Sequence, residues 1–224
     1  MNSASNPSTV PPTVQHKVPQ LVLGSTSRYR KELLTRLSLP FTVFSPGVDE
    51  EPLANETPMA LALRLSLAKA WAVAKLPQLI DTDCIVIGSD QTATIDGLNL
   101  IGKPETHDNA VLQLRQASGK TLTFYSGLAV LRPATGFAQV LSVNTEVIFR
   151  HLTEQQIQTY LLTEKPYDCT GSAKIETLGI TLVKSVSCPD PTALVGLPLI
   201  ALTDLLSAAG LDLFSQLPSK SIGS

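Results

Sequence analysis

Ser25-Thr26-Ser27-Arg28-Tyr29-Arg30-Lys31 sets a cluster of hydroxyls beside a cluster of cationic side chains, directly after the apolar run Leu21-Val22-Leu23-Gly24. This pattern predicts a strand that turns into a helix. Backbone N–H groups and the positive end of the helix dipole project from such a junction. With Ser25 and Arg30 beside them they could seat a phosphate. An ordinary helix cap at Ser27, with Arg28, Arg30 and Lys31 merely solvated, would read the same way.

Other segments carry complementary chemistry. Gly88-Ser89-Asp90-Gln91 follows the apolar Cys84-Ile85-Val86-Ile87, so Asp90 is expected at the carboxyl end of a buried strand, where open α/β sheets bind ligands. A carboxylate there could act as a base or hold a metal, or it could simply form a turn. Asp49-Glu50-Glu51 supplies further carboxylates, which read as metal donors or as a solvated loop. Gly102-Lys103-Pro104 presents a loop lysine, and Arg64 and Lys69 sit on a predicted helix. Together with Arg30 these cations could clamp a polyphosphate, or each could be a surface charge. GxSxG, HExxH and GxxxxGK[ST] patterns do not occur, which argues against the serine hydrolase, zincin and P-loop mechanisms.

The elements that must position these groups alternate along the chain. Strands are expected over Leu21–Gly24, Phe41–Phe44, Cys84–Gly88, Thr121–Leu131, Gln139–Phe149 and Leu178–Val186. A helix should run from Arg28 to about Leu39, stopped by Pro40. Thr57-Pro58 starts a second helix to about Lys75, and Thr106 caps a third over 107–117. Thr153-Glu154-Gln155-Gln156 opens a fourth with a capping box, and a last helix begins at Pro198 and closes at Gly210. The pattern is that of a mixed α/β chain with parallel and antiparallel parts.

Composition narrows the partners. The 224 residues carry 17 Lys and Arg against 19 Asp and Glu, a net charge of −2, so no basic field for a nucleic-acid polymer is expected. The longest apolar run, Ala193–Leu202, contains Gly196 and Pro198 and is too short to span a bilayer. The 3 cysteines, an odd number without CxxC spacing, read as reduced thiols of a cytoplasmic protein. Residues 1–19 read as a flexible Ser/Pro-rich tail rather than a secretion signal, residues 20–213 as a single domain, and 214–224 as a second tail.

The ordered set of motifs resembles the Maf family of nucleoside triphosphate pyrophosphatases from about Gln20 to Leu213. The matching pieces include residues 21–34, Val48-Asp49-Glu50, Glu56-Thr57-Pro58, Leu67-Ala68-Lys69-Ala70, Ile87-Gly88-Ser89-Asp90-Gln91 and Ile101-Gly102-Lys103-Pro104. They continue through Tyr125-Ser126-Gly127, Asp168–Gly179 and Val195-Gly196-Leu197-Pro198-Leu199. The resemblance implies an inosine-triphosphatase-like fold, a mixed sheet flanked by helices with two lobes and a central cleft. It implies hydrolysis between the α- and β-phosphates. Asp90 takes the place of the catalytic carboxylate; Ser25, Arg30, Lys69 and Lys103 match phosphate-binding positions; Glu50, with Asp90, lies by a divalent metal (Mg²⁺, Mn²⁺ or Co²⁺). Family members are often homodimers.

Tyr29, Gln91 and Glu176 match positions linked to substrate choice. The branch acting on dTTP and UTP usually carries Arg at the first and Gln at the third. Tyr29 with Glu176 resembles instead the branch that hydrolyses 7-methyl-GTP. An aromatic face attracts the cationic 7-methylguanine, and a carboxylate can accept hydrogen bonds from its Watson–Crick edge. A pyrimidine or broad-range pyrophosphatase and a nucleotide-binding regulator of septum formation are the alternative readings. Arg28 stands where the family usually has proline, and Thr170 where it usually has a small apolar residue.

Overall fold

The computed structural model describes residues 18–217. Of the expected tails at 1–19 and 214–224, residues 1–17 and 218–224 lie outside the described residues, and the second tail is entered by a short helix, Leu213–Gln216. The chain folds as α/β around a mixed sheet of six strands, ordered β2-β1-β3-β4-β5-β6. These are β1 (Gln20–Gly24), β2 (Phe41–Phe44), β3 (Cys84–Thr94), β4 (Thr121–Arg132), β5 (Phe137–Phe149) and β6 (Val183–Ser187). β1 runs parallel to both β2 and β3, and the remaining pairs are antiparallel.

Alternation along β1 and β3 sorts their residues between two faces. Leu21, Leu23, Ile85 and Ile87 pack with Leu33 and Leu34 of α1 (Arg28–Thr35). Leu202 and Leu206 of a later helix join the same cluster. Val22, Val86, Ala129 and Leu131 pack on the other side against Ala70 and Val73 of α2 (Pro58–Ala74). Covering both faces explains why these strands read as continuous apolar runs. Beyond the parallel part, Ala93, Leu122, Phe124 and Val147 are covered by α3 (His107–Ala117) and α4 (Glu154–Glu164). The chain then forms α5 (Leu199–Ala208) and α6 (Leu213–Gln216). Among the described residues no helix is long and apolar enough to cross a membrane.

The expected caps at Ser27, Thr57 and Thr106 are formed, and Thr153 and Gln156 make the expected reciprocal box. Three expectations are corrected. α1 ends at Thr35 rather than near Leu39, because the chain leaves the helix and Ser38 takes a left-handed φ of 56°. Leu178–Leu182 forms a 3-10 turn rather than the start of a strand, with Gly179 N–H donating to Lys174 O. Asp90 does not follow β3 but lies inside it. The parallel pairing to β1 ends at Gly24–Gly88, and β3 continues against β4, where Asp90 faces Gly127.

α2 lies unusually close to the sheet. A Cβ on Gly88 would run into the Ser66 carbonyl, and one on Gly127 into the Ala62 carbonyl. Glycine at both positions lets helix and sheet backbones touch.

Candidate active site

That close approach assembles the centre of the site. Ser66 Oγ, on α2, donates to Ala62 O at 2.6 Å and accepts from Asp90 N–H at 2.9 Å, so helix and strand share one hydroxyl. One turn further along α2, Lys69 Nζ reaches Asp90 Oδ1 at 2.6 Å. The same ammonium lies 2.7 Å from Glu50 Oε1, which arrives from the loop after β2. Lys69 and Asp90 are buried, whereas Glu50 is exposed on the cavity side. A buried ammonium between two carboxylates satisfies the rule that buried charges are paired.

Arg64 is corrected from the expected cationic set. It lies outside the cavity and donates to both oxygens of Glu56, at 2.7 and 2.8 Å, and to Glu51 O at 3.0 Å. The guanidinium holds the Glu56 carboxyl below its usual range and pins the loop that delivers Glu50.

These groups border a cavity of about 770 Å³ that also takes in Ser25, Tyr29, Arg30, Gln91, Lys103 and Glu176. Ser25, at the end of β1, is buried and accepts from Ser27 N–H at 3.1 Å. Arg30 is half-buried and donates from Nε to Gly196 O at 3.0 Å. Burial holds its guanidinium below the usual value, with the charges of Asp90 and Glu50 opposing the shift in part, and a guanidinium stays protonated in a protein, so the site keeps a cation there. Lys103 sits on the exposed loop before Pro104.

Gln91 has its amide nitrogen engaged by the protein. Its Nε2 lies within 3.0–3.1 Å of Ser126 Oγ, Ala193 O and Leu194 O, which absorbs both amide hydrogens. Only Oε1 is left to face a ligand. Tyr29 Oη donates to Asp168 Oδ2 at 3.3 Å and lies 3.6 Å from Cys169 Sγ. Burial, the largest influence on this phenol, pushes its pKa up to about 12, so it stays protonated. Glu176 is an exposed carboxylate on the cavity wall.

Sequence reasoning missed the device that holds one wall in place. Asp190, buried just before α5, accepts from Thr192 N–H and Oγ1 through Oδ1, at 3.0 and 2.7 Å. Its Oδ2 accepts from Ile200 and Ala201 N–H, at 2.7 and 3.3 Å. The loop fixed in this way turns its carbonyls at 193, 194 and 196 toward Gln91, Ser126, Ser89 and Arg30. The signal lay in Asp190-Pro191-Thr192, a turn-forming Asp with a hydroxyl two residues on, ahead of a helix.

Glu50 and Asp90 fit a divalent cation as donors. They are oxygen ligands from separate segments, and Mg²⁺ needs only one or two protein carboxylates when phosphate and water complete its shell. Among the described residues no group of three or more His, Cys, Asp or Glu side chains forms a self-sufficient cage.

The profile described as "Maf-like protein" matches residues 20–209. The 7-methyl-GTP pyrophosphatase of Polaromonas sp. is 52% identical over 220 residues, spanning 96% of this chain and 98% of that protein. Its counterpart in Bordetella avium is 54% identical over 197 residues, spanning 88% of this chain and 96% of that protein. The chain belongs to the Maf family.

Proposed function

We propose that this protein is a nucleoside triphosphate pyrophosphatase that hydrolyses 7-methyl-GTP to 7-methyl-GMP and pyrophosphate, removing a modified nucleotide. The observation that carries the reading is the buried Lys69, bridging Asp90 and Glu50 on the wall of a cavity that also holds Ser25, Arg30 and Lys103. Relatives about half identical in sequence bear the name 7-methyl-GTP pyrophosphatase, which supports the choice of substrate.

In this reading Asp90 is the base. Oδ1 is held by Lys69, and Oδ2 takes a proton from water as the oxygen attacks the α-phosphorus. The bond from that phosphorus to the α,β-bridging oxygen breaks, and pyrophosphate leaves. Arg30, Lys103 and the Ser25 hydroxyl line the same cavity and offset or bind phosphate charge, so positioning and electrostatics supply most of the rate. A divalent ion (Mg²⁺, Mn²⁺ or Co²⁺) held by Glu50 and Asp90 would neutralise further phosphate charge. The ring of Tyr29 stacks on the cationic base, and Glu176 accepts from its Watson–Crick edge. The three cysteines are free thiols, which supports the cytoplasmic assignment. The resemblance supports a homodimer; a light-scattering mass equal to a single chain would overturn that part.

The test is pyrophosphate release from 7-methyl-GTP, GTP, UTP, dTTP and CTP with Mg²⁺ or Mn²⁺, by wild type and Asp90→Asn. Preference for 7-methyl-GTP, lost in the variant while nucleotide affinity persists, is the expected result. Preference for UTP or dTTP would overturn the roles given to Tyr29 and Glu176. Binding without turnover of any nucleotide would favour the regulator.

A further inference from the structure

Arg28 opens α1 and turns its side chain onto its neighbour. The guanidinium carbon lies 4.7 Å from the centroid of the Tyr29 ring. Nη2 donates to Tyr29 Oη at 2.7 Å and to Asp168 Oδ2 at 3.1 Å. Since Tyr29 Oη donates to that same carboxylate oxygen, guanidinium, phenol and carboxylate close a ring of contacts. This ring joins the start of α1 to a loop 140 residues away in the chain. All three residues line the cavity, and Lys174 Nζ stands 5.9 Å from the same aromatic centroid.

A guanidinium within about 6 Å of a ring centroid draws on the ring's quadrupole, the same feature that would attract a cationic base. A purine stacks at a comparable distance, so Arg28 and a base compete for the covered face. The competition is not neutral with respect to the ligand. A positively charged base meets both the occupied face and the like charge of Arg28, whereas an uncharged base meets only the first. The latch is also easy to open, because the Arg28 and Asp168 side chains are 65% and 53% exposed and such pairs are weak.

We propose that Arg28 is a specificity-determining residue. Its guanidinium covers Tyr29 and must swing off the ring before a base can stack there, which weakens binding of a cationic purine more than of a neutral one. This rests on the role given above to Tyr29 as the base platform. Arg28 stands outside the Lys69–Asp90–Glu50 centre, so its effect falls on affinity for the base rather than on the hydrolytic step.

Calorimetric titration of 7-methyl-GMP and of GMP into wild type, Arg28→Ala and Arg28→Gln tests the idea. The two ligands share their phosphate, so the ratio of the GMP Kd to the 7-methyl-GMP Kd isolates the base. Both variants should raise that ratio about three-fold or more. An unchanged or lowered ratio in Arg28→Ala would overturn the proposal. A rise with alanine but not with glutamine would assign the effect to bulk and overturn the charge argument. Turnover assayed in parallel separates the two readings. A wild type that cleaves 7-methyl-GTP, with variants whose ratio stays flat, sinks only the role of Arg28. A wild type that binds neither monophosphate and cleaves no triphosphate sinks both.

Discussion

Lys69 Nζ lies 2.6 Å from Asp90 Oδ1 where the two side chains are only 6% and 10% exposed. The contact joins a helix to the strand beneath it and fixes the orientation of the proposed base. Lys69→Met should therefore do two separate kinds of damage. It leaves a buried carboxylate without its partner, which costs about 3–5 kcal/mol. It also frees Asp90 and Glu50 to repel one another, so turnover should collapse. Thermal unfolding followed by circular dichroism measures the first effect and pyrophosphate release the second. A melting temperature equal to wild type would mean that the pair contributes no stability.

Gly88→Ala tests the close seating of α2. The new Cβ would meet Ala70 N at 2.7 Å and Ala70 Cβ at 2.9 Å, besides the Ser66 carbonyl. Helix backbone cannot swing aside as a side chain can, so α2 must lift, carrying Ser66 and Lys69 with it. A loss of about 1–3 kcal/mol is expected from such overpacking. Turnover should fall further than stability alone explains, because Lys69 moves relative to Asp90. Urea titration and kcat together check this; a variant as stable and as fast as wild type would refute the account.

Much of this site was legible because its residues sit in motifs whose order and spacing identify the family. Ser25, Tyr29, Arg30, Glu50, Lys69, Asp90, Gln91, Lys103 and Glu176 all line one cavity. What the chain did not reveal were facts set by partners distant in sequence. Continuation of β3 past Asp90 depends on β4 lying alongside, which no local pattern around Gly88 encodes. Arg64 and Lys69 look alike on a helix, yet Glu56 captures one and Asp90 the other. The amide of Gln91 looks available until the carbonyls at 193 and 194 close on it. Leu178–Leu182 is apolar enough for a strand, but Gly179 N–H is drawn back to Lys174 O, and the turn wins.

Asp83 predicts a pH effect. Arg132 donates to both its oxygens, at 2.9 and 2.7 Å, and to Ala209 O at 2.8 Å, tying the start of β3 to the end of α5. The guanidinium holds the Asp83 carboxyl below its ordinary value of 3.8. A carboxylate with a depressed folded pKa contributes stability that is complete above the unfolded value and disappears as pH falls through the folded one. Asp83→Asn should thus be less stable than wild type at pH 7, by about 1 kcal/mol given its partial exposure. The difference should shrink as the pH is taken below 3.8. Denaturant midpoints measured across that range check the sign; a gap that widens in acid would contradict it.

Asp190 offers the sharpest separation of position from chemistry. Each of its oxygens accepts from two donors, so replacement by asparagine turns an N–H₂ group toward other N–H donors whichever way the amide is set. Asp190→Asn should cost about 2–3 kcal/mol, as expected when charge-assisted hydrogen bonds are lost in a buried setting. The effect on activity should be selective. The 193–196 carbonyls that hold Gln91 and Arg30 depend on this anchor, whereas Lys69 and Asp90 are joined through α2 and β3. Loosening the loop therefore releases groups that grip the substrate and spares the base. Below its melting temperature the variant should show a KM raised several-fold with kcat changed much less. Loss of stability with KM unchanged would make Asp190 a cap for α5 and nothing more, and the loop would then hold its shape without it.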